Sequence, residues 1–559
     1  LQSVIDRWIQ CSELDEEMKR QLLTYSDAER EDAFYRHLTF GTAGMRGLIG
    51  PGINRINRIT VRRVTEGLAR VLSKQPGAME RGVAIAFDSR RFSREFAQEA
   101  AVHLAHWGIR VHLFPSLRPT PVLSFAVRHL HAAAGIMITA SHNPAEYNGY
   151  KVYGEDGAQM PPDKVESILR ELDQVEDELA IQTGSWEEGV ASGRIRYVDP
   201  SVDHAYIDQV LSLSLRGPHP THASLRVVFT PLHGTGKNPV EQVLRDLGFS
   251  RLETVARQAD PDPAFSTVSS PNPEDPQAFA LALEQAKISG ADLIIGTDPD
   301  ADRLGLWARG SDGRFHAFNG NQIGALLLDY VLQQRREQGN LPTDGVVFKS
   351  IVTSESGRAI AQQYGVKTVD TLTGFKYIAE GIEEQESSGK GTFLFGYEES
   401  YGYLLGSFVR DKDAVQAAMM CCEMTAHHLE HGRTLDQALA ELDRQYGAYR
   451  ETLFSFTFQG KAGTNRMQAL MDRFRHTPPL TVGGLAVERI RDFTNGLDGF
   501  PPAKLIRFEL EGNSWVAIRP SGTEPKIKFY FGVRSITKEE AEVQLDAMRQ
   551  SIRDIVEAD

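Results

Sequence analysis

Residues 296–303 read GTDPDADR and follow the apolar run Leu293-Ile294-Ile295. Asp298, Asp300 and Asp302 fall on alternate positions. Three carboxylates so close together repel one another unless a cation gathers them. Oxygen-only ligands suit Mg²⁺ or Ca²⁺. An EF-hand is excluded, because its sixth position would be Arg303 where glycine is needed and its twelfth Arg309 where glutamate is needed. A short loop with three carboxylates leaves coordination open for a phosphate, which favours Mg²⁺. A merely solvated acidic turn has no need to alternate its acids at a strand end.

A second candidate is GIMITASHNPAEYNGYK, residues 135–151. Its apolar run ends at Thr139-Ala140, and Ser141 and His142 precede an Asn-Pro turn. A serine in such a place is commonly a cap or turn former, and the G-x-S-x-G elbow of acyl hydrolases is absent. Beside a metal loop, however, Ser141 becomes a candidate nucleophile for phosphoryl transfer. Lys151 is a candidate proton donor or acceptor. The glycine of EYNGYK is expected to turn the chain and bring Lys151 back toward Ser141.

Other loops add binding chemistry. GYEES (396–400) offers Glu398 and Ser400 to vicinal hydroxyls, although a Glu-Glu pair alone also reads as surface charge. RPSGTEPKIK (519–528) combines a glycine turn, Ser521 and Thr523 with Arg519, Lys526 and Lys528. Backbone N–H groups, hydroxyls and cations of this kind cradle a phosphate, though this is not a Walker A loop. TFGTAGMRG (39–47) ends near Arg46 and reads as a phosphate-approaching or plain flexible turn. HGTGKN (233–238) has the wrong spacing for a P-loop. His427 and His431 lie one helical turn apart, as zinc could use, but without evident further ligands they read as part of a mixed helix.

The elements that must position these loops are legible as well. With 559 residues, several domains are expected. Three sets of β-branched runs alternate with helical stretches: 82–90, 111–117 and 134–142; 225–234 and 291–303; 345–354, 366–376 and 391–400. Such alternation predicts parallel α/β units, whose ligands sit at the carboxyl ends of the strands. The tail, 505–535, alternates like antiparallel strands with a turn at Gly512-Asn513, and a helix opens at the N-cap Thr537. It predicts a small α+β domain.

A net charge of −14 disfavours nucleic acid and anionic membranes as partners. The three cysteines, two of them adjacent, form no disulfide framework and fit a reducing compartment. No apolar run reaches the roughly 20 residues of a membrane span. The N-terminus reads as an amphipathic helix, not a signal peptide. A soluble cytoplasmic protein is expected.

Taken in order, TASHNP, GTDPDADR, GYEES and RPSGTEP resemble the α-D-phosphohexomutase superfamily over residues 39–528. The resemblance implies three similar α/β domains with mixed sheets and a C-terminal α+β domain around a central cleft. The expected domains are 1–205 with the phosphoserine loop, 206–316 with the metal loop, 317–440 with the sugar loop and 441–559 with the phosphate loop. It further implies that Ser141 carries the phosphoryl group and that Asp298, Asp300 and Asp302 hold Mg²⁺ with it. Arg303, Lys151, His142 and Arg46 would lie near the reacting group. Glu398 and Ser400 would read sugar hydroxyls, and Arg519, Ser521, Gly522, Thr523 and Lys528 would grip the unreacting phosphate. GTAGMRG, TGFK (373–376) and GYEESYGYLLGSFVRDKDA look most like the phosphoglucomutase and phosphopentomutase branch. That adds Lys376 as an acid/base or phosphate contact and Thr373 and Gly374 as substrate contacts.

The resemblance implies an isomerase of the EC 5.4.2 type that interconverts glucose 1-phosphate and glucose 6-phosphate. Glucose 1,6-bisphosphate would be its intermediate and activator, and mannose phosphates further substrates. Small sugar phosphates would be the partners of a monomer or homodimer. Rival readings are a phosphopentomutase, a sugar-bisphosphate synthase, a metal-dependent sugar phosphatase and a non-catalytic sugar-phosphate sensor.

Overall fold

The computed structural model describes residues 2–41, 44–458, 460–521 and 526–558. The chain forms two compact units, residues 1–307 with 402–426 and residues 308–401 with 427–559. Among the described residues no helix is long and apolar enough to cross a membrane.

The first unit opens with helices Gln2–Gln10, Glu16–Thr24 and Asp27–Phe34. Each buries one stripe: Ile5, Trp8, Met18, Leu22 and Phe34 meet Ile59 in a single apolar cluster. The amphipathic reading of the N-terminus therefore holds. A seven-stranded sheet follows, ordered β1-β2-β6-β5-β3-β4-β7. Its strands are β1 (Phe40–Gly41), β2 (Gly44–Leu48), β3 (Val83–Phe87), β4 (Val111–Leu113), β5 (Ala134–Ile138), β6 (Tyr147–Gly154) and β7 (Ile195–Tyr197). β3 pairs in parallel with β4 and β5, while β6 runs antiparallel to β5 and β2 antiparallel to β6. The sheet is thus mixed. Every residue of β3 and β5 is buried, as expected of strands covered on both faces by helices.

One buried polar cluster stabilises the helices over this sheet. Glu66 accepts hydrogen bonds from Trp107 Nε1 at 2.8 Å and Arg70 Nε at 2.7 Å, and its Oε2 lies 2.8 Å from His103 Nε2. Burial pushes the Glu66 carboxyl up, but the bonds from His103, Arg70 and Trp107 outweigh it and bring the pKa down to about 2. A folded pKa below the unfolded value stabilises the protein above the unfolded pKa and is lost as the pH falls through the folded one. Glu66→Gln is therefore expected to remove on the order of 3 kcal/mol at neutral pH. The difference from wild type should shrink between pH 4.5 and pH 2. Denaturant unfolding of both proteins across that range is the check.

The second sheet is built on β8 (Arg226–Thr230), β9 (Arg251–Thr254) and β10 (Leu293–Thr297). β8 pairs in parallel with both β9 and β10. β11 (Leu304–Arg309) then leads to β12 (Phe315–Phe318).

In the second unit β13 (Gly345–Ser350) pairs in parallel with β14 (Lys367–Thr371) and β15 (Thr392–Glu398). The chain returns to the first unit through β16 (Gly402–Leu404) and most of the helix Ala414–Glu430. The last sheet, in the second unit, is antiparallel and ordered β17-β22-β21-β20-β19-β18. Its strands are β17 (Ala448–Thr457), β18 (Thr481–Val482), β19 (Leu485–Asp492), β20 (Ile506–Leu510), β21 (Ser514–Pro520) and β22 (Lys526–Ser535). Gly512 and Asn513 take the left-handed conformation at the β20–β21 turn, with φ of 72° and 60°. Thr537 and Glu540 form a capping box on the helix Lys538–Glu557. Both features match the sequence reading.

Inside this unit an apolar cluster joins the third and fourth sheets. Ile351, Val352 and Leu372 pack with Phe493, Leu505, Trp515, Ala517 and Tyr530. Arg507 lies over Trp515 with Cζ 4.7 Å from the ring centroid, and its Nη2 is 3.0 Å from Glu355.

Candidate active site

Ser141 stands at the turn beyond β5 with φ of 51°, a left-handed conformation unusual for a residue with a side chain. It is buried. Its Oγ donates to Asp298 Oδ2 at 2.8 Å and lies 3.2 Å from His142 Nδ1. A serine hydroxyl has one hydrogen. With that hydrogen on Asp298, the His142 contact has Nδ1–H as the donor. Burial first, then the guanidinium groups of Arg303 and Arg46, hold His142 well below its usual pKa, so its ring is neutral at pH 7.

The aspartate loop follows β10. Asp298 Oδ1 accepts the backbone N–H groups of Asp302 and Arg303, each at 3.1 Å. Burial, and then Asp302 and Asp300, push the Asp298 carboxyl well above the usual range. Burial acts on Asp300 in the same direction, but Lys151 and hydrogen bonds from Asp298, Lys151 and Thr120 overcome it and hold this carboxyl low. The distances are 3.0 Å from Lys151 Nζ and 2.9 Å from Thr120 Oγ1 to Asp300 Oδ2. Lys412 Nζ lies 3.0 Å from Asp302 Oδ2.

These residues fit a hard cation. One carboxylate oxygen from each aspartate lies within 4.8 Å of the others. Asp300 Oδ1 and Asp302 Oδ1 are buried without a hydrogen-bond partner among the described residues. Two desolvated, unpartnered carboxylate oxygens are costly unless a metal or phosphate-bound cation engages them.

The expected route for Lys151 is corrected. Gly149 does not turn the chain; it lies inside β6, opposite Arg46 of β2. A Cβ there would meet the Thr139 carbonyl oxygen at 2.4 Å, and this close approach explains the glycine. The reversal occurs earlier, where Asn143 N–H bonds Ala140 O and Tyr147 N–H bonds Pro144 O, both at 3.1 Å. Lys151 then stands opposite Met137 on β5.

HGTGKN, discounted as a P-loop, buttresses the aspartates. The backbone N–H and hydroxyl of Thr235 both bond Pro299 O, at 2.8 and 2.9 Å. A Cβ on Gly234 would stand 2.4 Å from Pro299 Cα. Arg46 is exposed and donates to Asn143 Oδ1 at 2.8 Å. Arg303 pairs with Glu274. Sequence reasoning missed Thr120, which lies in no quoted motif, and did not single out Lys412 within GYEESYGYLLGSFVRDKDA; both reach the aspartates only through the fold.

The second unit carries the other expected contacts. Glu398, buried at the end of β15, accepts the Gly374 N–H at 2.7 Å. Gly374 has φ of 120°, which a side chain would resist. Thr373 Oγ1 is buried without a hydrogen-bond partner among the described residues, and Lys376 Nζ lies 5.0 Å from the Tyr377 ring centroid. Ser400 is partly exposed two residues beyond Glu398. Arg519 and Lys528 face each other across β21 and β22. Like charges directly opposite are destabilising, so an anion between them would relieve strain. Tyr530 on β22 is hydrogen-bonded by Arg519 and also feels the charges of Glu399 and Glu398. Ser521 N–H bonds Lys526 O at 2.7 Å. Gly522 and Thr523 lie outside the described residues.

A second ligand-type grouping is His427, Glu430 and His431. His431 Nδ1 lies 2.8 Å from the His427 carbonyl oxygen, which capping of the last helical turn accounts for.

Comparison with known proteins agrees with this chemistry. Four domain models of one family match in order: phosphoglucomutase/phosphomannomutase α/β/α domain I at 37–178, domain II at 204–311, domain III at 319–446 and the C-terminal domain at 482–550. A phosphoglucomutase of Staphylococcus aureus is 40% identical over 537 residues, covering 94% of each chain. One from Staphylococcus epidermidis is 41% identical, covering 94% of this chain and 96% of the relative. Among solved structures, a Thermus thermophilus protein assigned as a phosphomannomutase has TM-score 0.70 and 25% identity, covering 93% of this chain and 99% of that one. The Paramecium phosphoglucomutase parafusin shares the fold at TM-score 0.70 and 18% identity, covering 93% and 95%. Fold and matches together define an isomerase that moves a phosphoryl group within a sugar phosphate. The chain belongs to the phosphoglucomutase/phosphomannomutase family.

Proposed function

We propose that the chain interconverts glucose 1-phosphate and glucose 6-phosphate through a phosphoserine at Ser141. The observation that carries this reading is the contact of Ser141 Oγ with Asp298 inside the buried aspartate triad. In the forward half-reaction a sugar hydroxyl oxygen attacks the phosphorus on Ser141. The P–Oγ bond breaks, and glucose 1,6-bisphosphate forms. The hydroxyl proton leaves to a group of the site as that oxygen bonds phosphorus; His142, whose protonated form burial and two guanidinium groups disfavour, is placed to hydrogen-bond and not to keep the proton. After the bisphosphate turns around, its other phosphoryl group returns to Ser141 Oγ.

Asp298, Asp300 and Asp302 would hold Mg²⁺, which offsets charge on the transferring group when bound. Lys151 and Lys412 fix Asp300 and Asp302 by ion pairs. Arg46 and Arg303 add positive charge beside His142. Glu398, Ser400, Thr373 and Gly374 would read the sugar, and Lys376, Arg519, Ser521, Gly522, Thr523 and Lys528 its second phosphate. Four domains follow from the same reading, supported by one sheet in each. On this reading the limits are 205/206, 316/317 and 440/441, the first and last of which fall within the helices Ser201–Leu211 and Leu435–Tyr446.

The test is a coupled assay of glucose 1-phosphate, mannose 1-phosphate and ribose 1-phosphate at matched concentrations. Glucose 1-phosphate should give the highest kcat/KM, dependent on added bisphosphate. A clear pentose preference, or faster release of inorganic phosphate than of isomerised sugar, would overturn the reading.

A further inference from the structure

Ser141 is held in a conformation that costs an L-residue about 1–2 kcal/mol. Such a conformation persists only when its surroundings over-determine it. Local bonds supply part of that: Ser141 N–H bonds Thr139 Oγ1 at 2.8 Å, and the Ser270 hydroxyl bonds His142 O at 3.0 Å. Arg90 supplies four more bonds. Its Nη2 donates to the carbonyl oxygens of Ser141 and Asn143, both at 2.5 Å. Its Nη1 donates to those of Pro144 and Tyr147, at 2.8 and 3.1 Å. One guanidinium thus gathers carbonyls from both sides of the Asn-Pro turn.

Arg90 is itself fixed. Its side chain and that of Asp88 are fully buried, with Nε 3.3 Å from Asp88 Oδ2. Asp88 Oδ1 accepts the Arg90 backbone N–H at 2.9 Å and the Ser93 hydroxyl at 2.7 Å. Asp88 in turn follows β3, the parallel neighbour of β5, and its N–H bonds Ile138 O at 3.1 Å. The guanidinium also lies over Phe265, with Cζ 4.9 Å from the ring centroid. A buried cation that gives four N–H bonds from Nη1 and Nη2 and is charge-paired through Nε is held in place as well as paired.

We propose that Arg90 is a positioning residue for phosphoryl transfer: it clamps the serine turn through four carbonyl oxygens and so aims Ser141 Oγ. The proposal rests on Ser141 being the phosphoryl carrier. Arg90 touches the Ser141 carbonyl and not its hydroxyl, so it acts on the reacting atom only through the backbone. A lysine keeps the charge beside Asp88 but has no planar fork to span four acceptors. A misplacement of about 1 Å at a reacting atom costs about 100-fold in rate.

The test compares wild type with Arg90→Lys for kcat, KM, thermal unfolding and transfer of labelled phosphate from glucose 1,6-bisphosphate to Ser141. Arg90→Lys should lower kcat and the labelling rate together, by about 100-fold, with KM within about twofold and the fold retained. Methylguanidinium should restore part of the kcat of Arg90→Ala. A kcat of Arg90→Lys within about threefold of wild type, or a loss confined to KM, would overturn the clamp. Should Arg90→Lys not fold, Phe265→Leu removes only the ring against the guanidinium. It should then lower kcat several-fold at unchanged KM, and an unchanged kcat would overturn the proposal. Wild type that takes no label on Ser141 would instead sink the phosphoserine reading itself.

Discussion

Ser141→Ala is expected to lower the mutase rate by at least about 10⁴-fold while leaving the fold and sugar-phosphate binding intact. Among the described residues, the Ser141 Oγ atom is the only nucleophilic oxygen in contact with both Asp298 and His142. Without it the phosphoryl group has no covalent carrier, and a one-step transfer between two positions of one sugar is geometrically closed. The structural cost is small by comparison. Asp298 loses one donor, worth about 1–3 kcal/mol, and keeps the two backbone N–H groups at Oδ1. The turn keeps its backbone bonds. Isothermal titration with glucose 6-phosphate should therefore resemble wild type, and unfolding should show a loss of no more than about 1–3 kcal/mol. Turnover within about tenfold of wild type, with a trace of bisphosphate present, would disprove the phosphoserine route.

Asp298→Asn should separate the metal's contribution from the protein's own. In the metal-free protein Asp298 is a buried carboxyl raised by burial and by Asp302 and Asp300. A folded carboxyl pKa above the unfolded value means the charged form is disfavoured in the fold. Its stabilising effect is present at low pH and is lost as the pH rises above the ordinary carboxylate range. With chelator present, wild type should therefore lose stability relative to Asp298→Asn as the pH rises from 5 to 8. Added Mg²⁺ should reverse the order. A cation at about 100 times its Kd stabilises by roughly 2.7 kcal/mol, and the variant should gain little of this. Its kcat should fall by about 10²–10³-fold. An equal Mg²⁺-induced rise in Tm for both proteins would contradict metal binding by this loop.

The contacts that define the site were unevenly legible. Buried runs ending in TASHNP and GTDPDADR located Ser141 and the aspartates, because a strand covered on both faces must deliver its polar loop to one end of the sheet. The antiparallel pairing of β6 was not legible. EYNGYK looks like a turn because a mid-strand glycine is rare, and the close approach of the Thr139 and Met45 carbonyls explains it. Arg90, Lys412 and Thr120 were missed for another reason. The contacts that tie them to the serine turn and the aspartates span 51 or more residues, so their own neighbours in the sequence do not single them out. HGTGKN was read against a phosphate-binding template, whereas its role is to support a neighbouring loop. The C-terminal helix and the β20–β21 turn were read correctly, since capping boxes and left-handed turns are determined locally.

The apolar cluster around Trp515 and Tyr530 has a consequence for substrate choice. It fastens the segments that follow β13 and β14 to the hairpin bearing Arg519 and Lys528 within one compact unit, and Glu398 is tied to the second of those segments by the Gly374 N–H. Tyr530 sits at the join, bonded by Arg519 and under the field of Glu398. On the proposed roles, that unit works as a calliper of fixed opening. It gauges the span from hydroxyl to phosphate and is blind to which end of the sugar carries the phosphate. A mutase must accept its intermediate in either orientation, and a gauge of length alone lets it do so.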